Sequence, residues 1–272
     1  MIIRETDRET AVLRLDHGKA NALDLELCAA FREALEAAEH DDTRALLITG
    51  AAASGGGDRS RGSTLPPEQA DARSGIFSAG VDLKRLTTEG ASYVRPFLGA
   101  LSDMLARLLA FPKPMVAAIN GHAIAGGMVI AAAADCRIMA RGNGRLGVPE
   151  LAVGVPFPPT ALHLLRIALS AADWSRFVLC GALVDSEEAE RIGFLHGTEE
   201  SERLEERCLR EAQRLGAIHP TAFSLTKRQL RSDAMARLET DRERWDLEIE
   251  AAWTRSDTLA AIQAYVERTL GR

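Results

Sequence analysis

Cysteine is scarce in this chain and does not form a metal-ligand pattern. Only four of the 272 residues are cysteines. They are scattered without the short spacings of a metal site, at Cys28, Cys136, Cys180 and Cys208. Because Cys136 opens an apolar segment, we expect a reduced, buried thiol in a cytosolic protein, and no bound metal.

Basic residues are fewer than acidic residues. The 33 Lys and Arg residues are outnumbered by 39 Asp and Glu, for a formal net charge of -6. Nucleic-acid binding needs a basic patch or stripe, so no nucleic-acid partner is expected. The N-terminal segment Met1–Asp7 lacks both the apolar core of a signal peptide and the composition of a transit peptide. We therefore expect a cytoplasmic protein.

Uninterrupted apolar segments of membrane-spanning length are missing as well. The stretch Met115–Ala134 is long enough to cross a bilayer, but Asn120, His122 and three glycines interrupt it. A buried strand, turn and helix are expected there, without membrane association. The triple glycine at 55–57 is not a phosphate loop, because no Gly-Lys-Ser/Thr follows it.

The first fifty residues predict one crossover of a parallel α/β sheet. Ala11–Asp16 alternates apolar and polar residues, as a half-buried strand does. Asp24 is placed to cap a helix over Leu25–Glu39, and Arg44–Thr49 is a fully buried strand. A strand, a helix and a strand in this order form a βαβ unit.

The segment Ala51–Gly75 breaks this pattern. It is rich in Gly, Ser and Ala, and a flexible surface insertion is the simpler interpretation. The alternative is that its arginines reach a phosphate of a ligand. Helices are predicted after it, ending in a charged helical region over Arg237–Leu270.

The stretch Pro114–Glu150 carries the strongest chemical signal. A strand over Met115–Ile119 leads to Gly126-Gly127, which opens an Ala-rich helix over Met128–Ala134, and a strand over Cys136–Ala140 follows. Adjacent glycines between a strand and a helix leave backbone N–H groups accessible, and the helix N-terminus adds partial positive charge. This arrangement suits a small anion or a developing oxyanion. Plain packing is the alternative reading of the two glycines.

Glu150 supplies a carboxylate after this region. It follows Pro149 in a mixed Gly/Pro loop, which could hold the side chain rigidly. A polarising N–H and a carboxylate base together indicate chemistry at a carbon next to a carbonyl. A solvated loop residue is the alternative.

Two motifs give the chain a family resemblance. Phe77-Ser-Ala-Gly-Val-Asp-Leu83 and Ile119-Asn-Gly-His-Ala-Ile-Ala-Gly-Gly127 resemble the crotonase (enoyl-CoA hydratase/isomerase) superfamily. Asn21-Ala-Leu, Pro149-Glu150 and Ala189-Glu-Arg-Ile-Gly193 follow the order of that family. The resemblance runs from about Val12 to the C-terminus and is interrupted by the insertion.

This resemblance implies an α/β fold, a crotonase-like spiral of ββα units. Residues 1–200 would form the acyl-CoA-binding core, with the insertion at 51–75, and residues 201–272 a C-terminal helical region for oligomerisation. The expected assembly is a homotrimer or a dimer of trimers.

The resemblance also implies a site. The N–H groups of Val81 and Gly126 would bind the thioester carbonyl of an acyl-CoA substrate. The CoA moiety would run past a set of residues near the first of these amides: Ala22, Ala79, Val81, Asp82, Leu83 and Gly126. No cofactor is expected beyond the coenzyme A of the substrate, and Val129 and Phe157 would line the acyl pocket.

Family hydratases carry two catalytic glutamates, and only one is present here. The second matches Glu150, but the first falls on Val129, which cannot exchange a proton. Asp135 lies a helix length away and is expected to be structural. One base suffices to move a double bond, so the resemblance is nearest to the single-glutamate enoyl-CoA isomerases.

The expected reaction converts a 3-enoyl-CoA to the trans-2-enoyl-CoA, with Glu150 as proton shuttle. Hydration, or another CoA reaction such as decarboxylation, is the alternative within the enzyme class. A non-catalytic acyl-CoA-binding subunit is the alternative outside it. Acyl chain length and pathway are not set by the sequence.

Overall fold

A computed structural model describes residues 1–18, 20–51, 75–142 and 144–270 of the chain. Apart from its two end residues, Ala51 and Gly75, the predicted flexible insertion lies outside these ranges, as does the possible contact of its arginines with a phosphate. The two segments that flank it are a buried strand ending at Gly50 and a strand that begins at Gly75.

The described residues follow a repeating strand–strand–helix order. The strands are β1 (Ile2–Asp7), β2 (Thr10–Leu15), β3 (Ala45–Gly50), β4 (Gly75–Ser78), β5 (Met115–Ile119), β6 (Gly121–Ile124), β7 (Cys136–Ala140), β8 (Leu146–Gly147), β9 (Leu183–Val184) and β10 (Gly197–Glu199). The helices of the first half are α1 (Leu25–His40), α2 (Leu83–Glu89), α3 (Ala91–Ala110), α4 (Gly126–Ala133), α5 (Glu150–Val153) and α6 (Pro159–Ala168). Those of the second half are α7 (Ala171–Trp174, continued by a π-helical turn over Ser175–Leu179), α8 (Ser186–Arg191), α9 (Ser201–Gly216), α10 (Pro220–Leu230), α11 (Ser232–Thr254) and α12 (Ser256–Leu270).

The strands divide between two sheets. Six form one sheet in the order β1-β2-β3-β5-β7-β10, and four form the other in the order β4-β6-β8-β9. The units that begin with β3, β5 and β7 each place their first strand in the larger sheet and their second in the smaller one. Neighbouring strands from β2 to β10 in the larger sheet are parallel, as are β4, β6 and β8. The expected α/β spiral of ββα units is therefore confirmed.

The last four helices pack on the rest of the chain. Leu204, Cys208 and Ala212 of α9 are buried against one face of the larger sheet. Helix α11 contacts α3 and α6, and α12 contacts α2. The division at residue 200 and the role of the C-terminal region in oligomerisation stay predictions.

Asp135 is a structural residue, as the sequence indicated. Its carboxylate accepts a hydrogen bond from the backbone N–H of Met115 at 2.8 Å. It also pairs with Lys227 at 2.6 Å and Arg231 at 2.9 Å, and both cations are buried. The Asp135 carboxylate thus anchors α10 and its C-terminal end to the base of β5.

Local predictions held where a segment is long and apolar. The strands over Met115–Ile119 and Cys136–Ala140 are confirmed, Asp24 caps α1, and Cys136 is a free, buried thiol. Strand β6 was missed, because Gly121–Ile124 is too short and too glycine-punctuated to stand out. The placement of Glu150 in a loop was wrong, since it is the first residue of the one-turn helix α5.

Candidate active site

Three parallel strands end at one edge of the smaller sheet. Strand β6 lies between β4 and β8. Because the strands are parallel, the segments that leave their carboxyl ends emerge side by side: residues 79–81 after β4, 125–126 after β6 and 148–150 after β8. The Ala125 N–H donates to the Gly147 carbonyl at 2.7 Å, which continues this pairing to the rim. Ligands of open parallel sheets bind at such carboxyl ends.

Residues 20–23 lie against the segment after β4. The Ala79 N–H donates to the Ala20 carbonyl at 3.0 Å, and the Leu23 N–H to the Gly80 carbonyl at 2.7 Å. The Asp82 N–H donates back to the Leu23 carbonyl at 3.0 Å, so Leu23 and Val81 form a parallel bridge. Since amides alternate in direction along an extended chain, the Val81 N–H points away from Leu23.

Glycine is required where this segment meets the one after β6. Gly80 has φ +84, and a Cβ built on it would lie 2.6 Å from the Cβ of Ala125 and 3.1 Å from the nitrogen of Gly126. A Cβ on Gly126 would lie 3.7 Å from the Cα of Gly80. The two turns are therefore in direct van der Waals contact, and the Val81 and Gly126 amides lie close together.

The backbone of Ala125, which lies in this contact, is strained. Ala125 has φ +53, a region in which L-residues other than glycine are uncommon. It immediately precedes Gly126, the first residue of α4, so this conformation sets the direction of the Gly126 N–H. In the described parts of the chain neither the Val81 nor the Gly126 N–H donates a hydrogen bond. Two free amides beside a helix N-terminus suit a developing oxyanion.

Asn21 and Ser78 hold the two segments in register. The Asn21 amide donates to the carbonyls of Ile76 and Phe77, both at 3.1 Å. The Ser78 hydroxyl donates to the Asn21 carbonyl at 2.8 Å, and the Gly80 N–H donates to that hydroxyl oxygen at 3.2 Å. These contacts give the Asn21-Ala-Leu motif a physical role.

The residues expected along the CoA moiety lie close to the backbone pairing of residues 20–23 with residues 79–82. Ala79 is buried and Ala22 is half-buried, each beside the strand-like pairing of 20–23 with 79–82. The Asp82 side chain caps α2 by accepting from the Arg85 N–H at 3.0 Å, and Leu83 is the first residue of that helix. Their contact with CoA stays a prediction.

Glu150 contributes a buried carboxyl group at the rim. Its Oε2 atom is buried and has no hydrogen-bond partner in the described parts of the chain. Burial raises the pKa of Glu150 to about 8, and a hydrogen bond from its own backbone N–H, at the start of α5, offsets part of the effect. A carboxyl with such a pKa exchanges protons readily near neutral pH.

The two residues expected to line the acyl pocket are both buried, and their contact with an acyl chain stays a prediction. Val129, on the first turn of α4, is 1% exposed, and Phe157 is 6% exposed. Both belong to the main apolar cluster. The loop before α6 that carries Phe157 is held by Trp253 of α11, whose indole N–H donates to the Pro156 carbonyl at 2.9 Å.

The described residues show neither a metal site nor a membrane-spanning helix. No group of three or more His, Cys, Asp or Glu side chains is arranged to hold a metal ion there. None of the described helices combines the length and apolarity of a membrane crossing.

In the described chain, two backbone amides without acceptors and one buried carboxyl follow parallel strands that end at a common rim. This arrangement suits enolate-type chemistry on a spiral α/β fold. Residues 70–270 match the family model "Enoyl-CoA hydratase/isomerase". The chain therefore belongs to the enoyl-CoA hydratase/isomerase family, in the crotonase superfamily, and is an acyl-CoA enzyme of that family.

Named relatives carry both activities. A crotonyl-CoA hydratase of Syntrophomonas wolfei is 28% identical over 245 residues, which cover 89% of this chain and 84% of that protein. The human mitochondrial enoyl-CoA delta isomerase 1 is 26% identical over 262 residues, 95% of this chain and 79% of that protein. The crystal structure of a human mitochondrial delta3-delta2-enoyl-CoA isomerase superposes with a TM-score of 0.84 at 24% identity, covering 98% of this chain and 97% of the other, which shows the fold alone.

The structure adds residues to the site that the sequence did not indicate. Ala125 sets the direction of an amide through its positive φ, and Leu23 packs where a Cβ on Gly126 would fall, 2.5 Å from its Cδ1 atom. Trp253 of α11 holds the loop that carries Phe157, through its hydrogen bond to the Pro156 carbonyl. No local sequence pattern marks any of these, because each depends on a contact between distant segments.

Proposed function

We propose that this enzyme shifts the double bond of a 3-enoyl-CoA to give the trans-2-enoyl-CoA, with Glu150 as the proton shuttle. The Val81 and Gly126 N–H groups donate to the thioester oxygen. The observation that carries the proposal is the Glu150 carboxyl, whose Oε2 atom is buried and has no hydrogen-bond partner among the described residues. It is supported by the buried Val129, which occupies the position where family hydratases carry a second glutamate.

The chemistry requires one base. The Glu150 carboxylate removes a proton from C2, and the electron pair moves toward the thioester oxygen to form a dienolate. The two amides stabilise the negative charge on that oxygen as it develops. The protonated Glu150 then returns the proton to C4, which leaves the double bond between C2 and C3 and restores the carboxylate.

Hydration would make a further demand on the site. A water molecule must be held and deprotonated while a proton is delivered to C2, which two carboxylates accomplish in family hydratases. The causes of the Glu150 pKa shift are burial and its own backbone N–H, with no second acidic side chain of the described chain among them. This single-carboxylate environment supports isomerisation over hydration.

Product analysis tests the proposal. The enzyme is incubated separately with a 3-enoyl-CoA and a 2-enoyl-CoA of the same chain length, in a series of graded lengths. We expect conversion of the 3-enoyl thioester to the trans-2-enoyl thioester, without 3-hydroxyacyl-CoA from the 2-enoyl thioester. Formation of the 3-hydroxyacyl product at a comparable rate would make the enzyme a hydratase.

Substitution of the shuttle tests its assignment. Glu150→Gln keeps the shape of the side chain and removes the titrating group, so we expect the rate to fall at least ~10²-fold. Wild-type turnover by the variant would refute the role of Glu150. Tight CoA binding by the wild-type protein without conversion of any thioester would favour the non-catalytic binding subunit.

Assembly and location are proposed on the resemblance alone. We propose a homotrimer or a dimer of trimers in the cytoplasm, and sedimentation equilibrium would distinguish three copies from six.

A further inference from the structure

A cavity of about 1100 Å³ lies at the amino end of β7, in the larger sheet. Residues 134–138 line it, together with residues of α9 and α10. The proposed active site is elsewhere, because Val81, Gly126 and Glu150 follow the carboxyl ends of strands in the smaller sheet. None of these three residues lines the cavity.

Basic side chains outnumber acidic ones around this cavity. Six Lys or Arg residues line it against three Asp or Glu residues, although the whole chain has a net charge of -6. Three of the cations, Arg137, Lys227 and Arg231, are buried. Asp135 pairs with Lys227 and Arg231, and the other two acidic residues each pair with an arginine of α9. Arg137 therefore has no carboxylate partner in the described chain.

The Arg137 guanidinium is held in place with one nitrogen free. Its Nε donates to the Phe194 carbonyl at 2.5 Å and its Nη1 to the Ala134 carbonyl at 2.6 Å. The guanidinium carbon lies 5.0 Å from the centre of the Phe194 ring. Nη2 donates no hydrogen bond in the described chain, and it is not among the fully enclosed atoms there that lack a partner. Because Arg137 is 7% exposed and lines the cavity, we infer that its free N–H groups reach the cavity.

His196 adds a second donor to the same lining. Its Nδ1 accepts from the Arg137 N–H at 3.1 Å, and its own backbone N–H donates to the Arg137 carbonyl at 2.8 Å. An Nδ1 atom that accepts carries no proton, so this hydrogen bond assigns the ring proton to Nε2. Burial and the Arg137 charge lower the pKa of His196, which favours this neutral form. The Nε2–H donates no hydrogen bond in the described chain.

Apolar side chains line another part of the cavity, among them Ile138, Ile167 and Phe223. A bare inorganic anion fills only a small part of this volume, which is at the upper end of the range for small-molecule pockets. A fitting ligand therefore combines an anionic group with an apolar body.

We propose that this cavity binds a small organic oxyanion, a phosphate or carboxylate attached to an apolar body, with Arg137 and His196 as donors to its oxygens. Burying a cation without a counter-ion is costly. The bound anion supplies the counter-charge that Arg137 lacks, and the guanidinium and imidazole N–H groups match its oxygens. This binding requires no turnover, so it does not depend on the proposed function.

Calorimetric titration with three ligands that share one ring tests the site. Phenyl phosphate and benzoate carry the two oxyanions, and benzyl alcohol carries no charge. We expect at least one of the two anions to bind the wild-type protein, and the lower Kd identifies the preferred head group. Benzyl alcohol should bind at least ~10-fold more weakly, because it lacks the charge-assisted hydrogen bonds.

Ala222→Phe locates the binding without changing any buried cation. Ala222 is an exposed residue of α10 that lines the cavity, so the larger side chain occupies part of it. We expect the Kd of the anion to rise at least ~10-fold. Ala37→Phe places the same side chain on an exposed position of α1, away from the cavity lining, and should retain the wild-type Kd.

Arg137→Lys tests the donor itself. The variant keeps the positive charge but loses the planar fork, so we expect the Kd to rise at least ~10-fold. If this variant does not fold, as judged by circular dichroism, Ala222→Phe decides the question. A wild-type Kd in folded Arg137→Lys would overturn the role of the guanidinium.

Three other results would overturn the site. The first is that neither anion binds, and the second is that the anion binds Ala222→Phe with the wild-type Kd. The third is that benzyl alcohol binds as tightly as the anions, since the cavity would then recognise only the ring.

Discussion

Gly80 and Ala125 are in such close contact that a Cβ added to Gly80 would lie 2.6 Å from the Cβ of Ala125. Both residues have positive φ, and each directly precedes one of the two amides of the proposed oxyanion hole. The distance between the amides therefore depends on the absence of one methyl group.

Gly80→Ala should damage both stability and turnover. The left-handed conformation costs about 1–2 kcal/mol for alanine, and the crowding adds about 1–3 kcal/mol. Separating the two amides should lower kcat at least ~10-fold, because small misplacements at a reacting centre are costly. Urea denaturation and steady-state kinetics measure the two effects.

Gly90→Ala is the matched control for that variant. Gly90 also has positive φ, at +65, but a Cβ there meets no atom within 4 Å. With ψ -154 it lies in a region used essentially by glycine, so Gly90→Ala should carry a conformational cost of about 1–3 kcal/mol and retain the wild-type kcat. Equal kinetic losses in both variants would contradict the special role of the Gly80 contact.

The pH dependence of the reaction should follow the Glu150 carboxyl. The base must be ionised to remove a proton, and burial raises the pKa of Glu150 to about 8. We expect kcat/KM for a 3-enoyl-CoA to rise with pH, to reach half its limiting value near pH 8 and to level off above that pH. A profile that is already flat at pH 6 would contradict this environment of the carboxyl.

The free energy of unfolding should also depend on the ionisation of Glu150, but it should fall with rising pH whereas kcat/KM rises. The pKa of Glu150 has its ordinary value of 4.5 in the unfolded chain and a value of about 8 in the folded protein, so the folded state binds the proton more tightly. The stabilisation that protonated Glu150 gives to the folded state is fully present below pH 4.5 and is lost as pH rises toward 8. Relative to Glu150→Gln, the wild type should lose on the order of a few kcal/mol of unfolding free energy across this window.

Urea denaturation at several pH values checks that difference. Glu202→Gln, which removes an exposed carboxyl at the start of α9, serves as the control and should run parallel to the wild type. Parallel curves for wild type and Glu150→Gln would show that Glu150 ionises without a burial cost.

Asp135→Asn should destabilise the chain without altering its chemistry. The change leaves the buried Lys227 and Arg231 cations without their carboxylate. Breaking a buried pair in this way costs about 3–5 kcal/mol. Because Asp135 lies at the amino end of β7, away from the rim that carries Glu150, kcat of the folded variant should stay at the wild-type level.

Asp257→Asn provides the comparison for this ion pair. Asp257 pairs with Arg255 at 2.7 Å on the exposed start of α12. Its variant should unfold at the same urea concentration as the wild type, because an exposed pair contributes little. A wild-type midpoint for Asp135→Asn as well would refute the anchoring role.

Much of this protein could be predicted from local patterns. The apolar run before Asn120 and the paired glycines at 126–127 predicted a strand, a turn and a helix with accessible amides, because backbone preferences and hydrophobic periodicity act over a few residues. The capping role of Asp24 and the valine at position 129 were equally visible. Together with the order of the motifs, they were sufficient for the α/β fold and its family.

Only the tertiary structure decided the environment of the site. Whether the Glu150 carboxyl is solvated or buried depends on every segment that packs around α5. Its raised pKa cannot be read from neighbouring residues. The short strands β6 and β8 form by pairing with each other and with β4 and β9 on either side. The pairing of β6 with β8 brings residues 126 and 150 to one rim. Burial and strand pairing are properties of distant contacts, so they emerge only when the whole chain is folded.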